Sequence, residues 1–225
     1  MPELYLFILA TLAVNTALLA FLIWAYHSPR FAARRIGGGP PMRVTWRHRS
    51  RTMTITSLLS LVTIFGVVYV FHDRLFHARA VSGWTIVGET LAIILVYDFV
   101  YYFAHRLMHH PKLLRAVHGV HHRARNPSAL ESFYQHPAEL LTGLTLLFAS
   151  IWLIGPVHEY TFVATFFIYS NINIIVHAGF TSGSKWFLPF DFLVRKHHLH
   201  HAEDPQKNYS TMTPLPDWIF GTARL

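Results

Sequence analysis

Residues 98–122 read DFVYYFAHRLMHHPKLLRAVHGVHH. The stretch begins inside an apolar run and leaves it carrying six histidines. His105 and His109 are four apart, so on a helix they share one face about one turn apart. His118, His121 and His122 follow at i, i+3 and i+4, which a helix also gathers on one side. The pattern returns near the C-terminus in HHLHH, as His197, His200 and His201. Neutral imidazole is the commonest protein metal ligand, and helical spacing delivers two or three without the entropy of ordering a loop. These eight residues read as a polyhistidine metal site that the rest of the chain holds together.

Working outward, the sequence expects an all-α, polytopic membrane protein. Apolar runs cover about 4–26, 53–71, 84–103, 140–154 and 160–176. The first three are long enough to cross roughly 30 Å of hydrocarbon; the last two are short and could form one hairpin, giving four to five transmembrane or hairpin helices. No Lys or Arg precedes Arg30, so the first run reads as an anchor and not as a cleavable signal. The span that starts near Trp84, continued as helix to His110, would be about 40 Å long and project its last turns beyond the membrane, with Pro111 as the break. A basic loop interrupted by GGGPP separates the first two runs.

Charge supplies an orientation. Stretches 27–51, 104–137 and 178–225 hold seven, five and five Lys/Arg, leaving Arg74 and Arg79 for the other connections. With five crossings, the positive-inside rule places the N-terminus outside and the C-terminus in the cytoplasm. The histidines were not counted, yet the same topology puts all three clusters in a cytoplasmic helical cap.

Composition narrows the chemistry. At 225 residues and 52% apolar, the chain fits one integral-membrane domain, 1–225, with N-terminal spans over 1–83 and a histidine-bearing core over 84–225. There is no cysteine, which excludes thiolate zinc and iron–sulfur sites. The net charge of +8 is spread between apolar runs and not gathered on one face, so a membrane surface is the expected partner and nucleic acid is not.

Two further histidines stand where ligands are possible. His177 closes the fifth run on the same side as the clusters. His136, in ESFYQHPAELL, either joins the ligands or caps the helix that Pro137 opens. Eight or more nitrogens exceed one ion's coordination and suit two. Asp98, seven residues before His105 on the same helical face, is the leading candidate to orient an imidazole, ahead of Glu131, Glu203 and Asp204. A zinc hydrolase would leave most of the histidines unexplained. A metal transporter would place its ligands inside broken spans, not beyond one end of them.

With these residues in view, the chain resembles the membrane-bound fatty acid hydroxylase/sterol desaturase superfamily of non-haem di-iron enzymes. DFVYYFAHRLMHH is similar to its first histidine box, HGVHH to its second and HHLHH to its third. SALESFYQHPAE and NIIVHAGF resemble the stretches around the later hairpin. NYS at 208–210 and PDWIFGT at 216–222 stand near the family's usual N-Y-G and W-D-x-x-F-G-T, with serine for glycine and proline for tryptophan as departures. The resemblance covers about residues 90–225 and makes 84–225 the catalytic core. It implies hydroxylation or desaturation of a membrane lipid with O2 as co-substrate, at two iron ions held by His105, His109, His118, His121, His122, His197, His200 and His201, with His177. Asp98 and Asn208 would support those ligands.

Such a reaction needs electrons, and no flavin or nucleotide fingerprint is present. An external donor is therefore expected, a ferredoxin or a small b-type cytochrome with its reductase, docking near Arg115, Arg123 and Arg125. Tyr101, Tyr102, Phe103, Phe133, Phe166 and Phe167 are candidates to line a lipid path, with ordinary core packing as the competing role for each.

Overall fold

The computed structural model describes residues 2–37 and 44–224; most of the GGGPP break lies outside the described residues. The chain is helical almost throughout. Five long helices form the bundle: α1 (Pro2–His27), α2 (Trp46–Leu75), α3 (Gly83–Met108), α5 (Pro137–Ile154) and α6 (Glu159–Ile175). Among the described residues, α1, α2, α3 and α5 are long and apolar enough to cross a membrane. At 17 residues α6 is about 25 Å long and falls just short, as its brief apolar run anticipates.

Each helix starts and stops for a local reason. Ser82 caps α3 by accepting from the Thr85 amide at 3.1 Å. His136 and Pro137 open α5, and Gly155, at φ +115°, lets the chain turn out of it. His158 Nδ1 accepts from the Tyr160 amide and opens α6. The basic segment WRHRSR extends α2 by about two turns ahead of its apolar run, making a 30-residue helix.

Neighbours run in the order α1, α6, α3, α5, α2. At the end that holds the N-terminus of α1, Leu4, Ile8, Val68, Phe76, Ile93 and Ile151 pack together. There β1 (Phe76–His77) pairs in parallel with β2 (Val157–His158), which ties the end of α2 to the α5–α6 hairpin. At the other end Leu22, Ala25, Ala129, Ile174 and Phe180 pack under the histidines. The pattern of exposure is inverted relative to a water-soluble bundle. Val62, Tyr69 and Trp152 are about 70% exposed, while Asp98, Thr161 and Thr165 are fully buried. Hydrocarbon outside the bundle makes both favourable.

The cap is built from short pieces: α4 (Pro111–Leu113), a π-helical turn (Leu114–His118), 3-10 turns at His121–Arg123 and Ala129–Phe133, then α7 (Leu188–Ala202) and α8 (Leu215–Ile219). Two expectations change here. The helix expected to reach His110 ends at Met108, with His109 as its cap and its amide bonded to the carbonyls of His105 and Arg106. His118, His121 and His122 do not lie on one regular helix: a π turn passes through Gly119 and Val120 into a 3-10 turn. The three rings aim in two directions, His118 and His122 one way and His121 the other.

Candidate metal centre

The structure brings nine histidines into two groups. His105, His109, His118, His122 and His200 form one, and His121, His177, His197 and His201 the other; within each, one nitrogen per ring lies within 4.8 Å of the rest. Both H-x-x-H-H motifs divide between the groups in opposite senses. His118 and His122 go to the first and His121 to the second; His197 and His201 go to the second and His200 to the first. In α7 this is helical geometry, since i and i+4 share a face that i+3 only adjoins. Each motif thus spans both groups, which fixes them side by side.

The inward atoms are the Nε2 nitrogens. Four neighbouring pairs within the first group lie 2.9–3.2 Å apart. Those in the second lie 2.9–3.1 Å apart. A metal–nitrogen bond of about 2.1 Å puts neighbouring nitrogens about 3.0 Å apart at right angles and about 3.4 Å apart in a tetrahedron. The observed edges match right angles, the preference of five- or six-coordinate ions.

The outward nitrogens decide the protonation. Nδ1 of His105 donates to the Tyr209 carbonyl (2.6 Å), His121 to Tyr134 (3.0 Å), His177 to Asn173 (2.7 Å) and His200 to Lys207 (2.6 Å). A carbonyl oxygen only accepts, so each of these nitrogens carries a hydrogen, and in a neutral ring that leaves Nε2 as the lone pair. His121 and His177 therefore bring their Nε2 atoms face to face at 3.1 Å. Burial also opposes protonation. It pulls His118, His122, His197, His200 and His201 well below the ordinary value of 6.5, and neighbouring imidazoles push further. The same causes lower His109 and His177 to about 3. Facing, neutral lone pairs repel unless a cation lies between them, so the donor set fits metal.

The carbonyls come from chain ends and turns, where helical bonding leaves them free. Asn173 lies in the last turn of α6. Tyr134 caps a 3-10 turn. Lys207 and Tyr209 flank Asn208, whose left-handed φ of +60° aims the two neighbouring carbonyls at His200 and His105. Asn208 is pinned by bonds from its side-chain amide to the Lys196 and Arg224 carbonyls and to its oxygen from the Arg224 amide. It supports the histidines through its neighbours' backbone and touches none of them.

Other expectations need correction. Asp98 meets no imidazole; it accepts from the amides of Thr211, Met212 and Thr213 and the Thr213 hydroxyl, docking the C-terminal loop on α3. Glu131 belongs to a capping box with Ser128 and an ion pair with Arg49. Glu203 and Asp204 face Arg224. His136 is in neither group, because its Nδ1 accepts from the Ala138 amide as the cap of α5. Tyr101, Phe133 and Phe166 line a cavity, whereas Tyr102 is buried against Phe220, and Phe103 and Phe167 face outward.

One residue was missed. Glu139 is buried in the first turn of α5, with Oε1 2.9 Å from His118 Nδ1, at an angle too bent for a good hydrogen bond. The signal was there: it is the single charged residue of an otherwise apolar span, and such residues are functional candidates by default. A second buried pair, Lys196 and Asp217 at 2.8 Å, stands beside His197. Asp217 also accepts from the Tyr209 and Ser210 amides, holding the loop that carries the Tyr209 carbonyl.

A cavity of about 140 Å³ runs from these histidines into the bundle. His105, His118, His121, His177 and His197 close its capped end, and residues of all five long helices line the rest.

The chain is 34% identical over 145 residues to methylsterol monooxygenase 2-2 of Arabidopsis thaliana, covering 61% of this chain and 53% of that protein. It is 34% identical over 146 residues to the very-long-chain aldehyde decarbonylase GL1-8 of Oryza sativa subsp. indica, covering 63% and 54%. To methylsterol monooxygenase 1 of Rattus norvegicus it is 30% identical over 141 residues, covering 60% and 46%. The chain thus spans about half the length of the curated relatives it matches. No solved structure matches it. The fatty acid hydroxylase model matches residues 90–222, more than half of the chain and every histidine of both groups. The chain belongs to the fatty acid hydroxylase family.

Proposed function

We propose that the protein is an O2-dependent hydroxylase or desaturase of a membrane lipid, working at two iron ions held by the two histidine groups. The observation that carries this reading is the pair of adjacent, all-nitrogen sites at the closed end of a cavity that runs into the helix bundle. Five nitrogens in one group and four in the other, at right-angle edges, suit iron better than the three-ligand tetrahedral zinc of a hydrolase.

When bound, iron would supply the electron-transfer chemistry that turns O2 into an oxidant strong enough for an unactivated C–H bond. Hydroxylation balances as lipid C–H plus O2, two electrons and two protons, giving C–OH and water. The chain's own residues do the rest. The carbonyls of residues 134, 173, 207 and 209 fix tautomer and ring direction. Tyr101, Leu144 and Phe166 give the cavity the apolar walls that a lipid tail prefers to water.

The two electrons would come from an external ferredoxin or b-type cytochrome. Arg123 and Arg125 are both exposed on the capped end; the Arg115 side chain lies outside the described residues. The charge distribution supports a cytoplasmic cap and an external N-terminus, and the N-terminus and the histidines do stand at opposite ends of the bundle.

Metal analysis of anaerobically purified protein tests the reading. Two irons per chain are expected, together with a lipid product formed only with O2 and lost in His121→Ala. A single zinc, with no activity restored by iron, would overturn it.

A further inference from the structure

Among the described residues that line the cavity, four have a buried polar atom without a hydrogen-bond partner, on His118, Glu139, His197 and Thr211, and of these only Glu139 is a carboxyl group. Glu139 is 4% exposed, lines the cavity and places Oε1 beside His118; its other oxygen, Oε2, is fully buried and bonded to nothing. It joins neither histidine group. Leaving a carboxyl oxygen unmatched in an apolar interior costs about 1–3 kcal/mol or more, so a partner is expected to arrive from outside the chain. The same wall of α5 explains what could reach it. One turn further on, Gly143 leaves the helix backbone bare, and the hydroxyls of Tyr169 and Tyr97 lie 3.3 and 3.9 Å from where a side chain would begin. Leu140, Leu144 and Phe166 complete an apolar surround.

We propose that Glu139 is a specificity-determining residue that hydrogen-bonds a hydroxyl group on the lipid substrate. The assignment rests on the lipid-oxygenase reading and narrows it. The carboxyl is separated from the inward nitrogen of His118 by the width of one imidazole. A lipid anchored there by its hydroxyl presents to the metal groups a carbon within a few bonds of the hydroxyl-bearing carbon. The favoured substrate is then a sterol or long-chain alcohol oxidised close to its polar end, not a hydrocarbon chain oxidised at an arbitrary distance from it. A hydroxyl suits the position because it both gives and takes a hydrogen bond, whereas an ester or an alkane cannot donate.

The test measures binding to the metal-loaded full chain in detergent micelles, with two matched pairs of probes: cholesterol against 5α-cholestane, and 1-hexadecanol against hexadecane. In wild type, the hydroxylated member of at least one pair should bind about tenfold tighter or more, the scale of one buried hydrogen bond to a charged group. The pair that shows it identifies a sterol or an acyl-chain source. Glu139→Leu should bring the ratio to about one without weakening the hydrocarbon member, and Glu139→Gln should give an intermediate ratio. If Glu139→Leu does not fold, the fall in Glu139→Gln decides. A role confined to holding His118 would instead lower iron content and change both members of a pair alike. A wild-type ratio within about twofold, or a ratio unmoved in the variants, overturns the assignment while leaving the lipid reading intact. Binding of neither member of either pair overturns both.

Discussion

His121 and His177 face each other with their Nε2 atoms 3.1 Å apart, while the Nδ1 of each is committed to a main-chain carbonyl. Neither ring can rotate to relieve the opposition without losing that bond. The fold thus aims two ring nitrogens at one place where a cation would fit, with residues 56 positions apart in sequence.

Removing one of the pair should empty one group and spare the other. His177→Ala is expected to lower iron from two to about one per chain, because the other five histidines share no ring with its group. Lipid oxidation should fall by at least about 100-fold, the upper end of what losing even a supporting partner costs a metal site. Elemental analysis alongside turnover checks this; loss of both metals would mean that the groups fill cooperatively.

Acid should destabilise the metal-free protein over a definite window. His109 and His177 have folded values near 3 against an ordinary 6.5. Above pH 6.5 both folded and unfolded chains hold these rings neutral, so their contribution is fully present. As the pH falls from 6.5 towards 3, the unfolded chain takes up protons that the folded chain refuses, and stability is lost. Thermal unfolding of the apo protein should show a midpoint that declines through this range. A midpoint flat from pH 7 to 4 would contradict the neutral, buried state of these rings.

Asn208 governs two ligands without touching either. Its left-handed backbone lets Lys207 and Tyr209 turn their carbonyls towards His200 and His105. Asn208→Ala loses three side-chain bonds and adds roughly 1 kcal/mol of backbone strain, while Asn208→Gly loses the bonds but not the conformation. Iron affinity at the five-histidine group should drop about 10–100-fold in the alanine variant and less in the glycine variant. Competitive chelation reads both; equal losses would show that the backbone conformation plays no part.

The architecture was largely legible because hydrocarbon imposes a simple rule: long apolar runs become helices, and the histidines fall beyond their ends. The ligand candidates were legible because H-x-x-H-H spacing is short-range information. The local winding of the first motif was not, since it runs through a π turn and a 3-10 turn at residues 114–123 that no periodicity announces. Nor was the role of Asp98. Its spacing to His105 is right for contact along α3, but three amides arriving from residues 211–213 claim the carboxylate first. Imidazole orientation fell to main-chain carbonyls, which carry no side-chain signature in a sequence.

That competition for Asp98 has a measurable cost. Asp98→Ala leaves three buried amides without an acceptor and should destabilise the protein by about 3 kcal/mol or more. The C-terminal loop, including the Tyr209 carbonyl, should lose protection from hydrogen exchange before the bundle does. Uniform loss of protection across α1 to α6 would mean that the loop and the bundle unfold as one unit.

The cavity and the metal groups can be separated at Gly143. A Cβ there meets the Tyr169 hydroxyl at 3.3 Å and the Tyr97 hydroxyl at 3.9 Å, with no histidine within 4 Å of it. Gly143→Leu should therefore fill the space beside Glu139 while leaving both groups assembled. The expected outcome is unchanged iron content with turnover of long-chain or sterol lipids lowered about tenfold or more, since the added volume is comparable to a substantial part of the 140 Å³ cavity. If iron is lost in step with turnover, α5 has shifted and taken Glu139 and His118 with it. If turnover persists with iron intact, the substrate enters by some route other than this cavity.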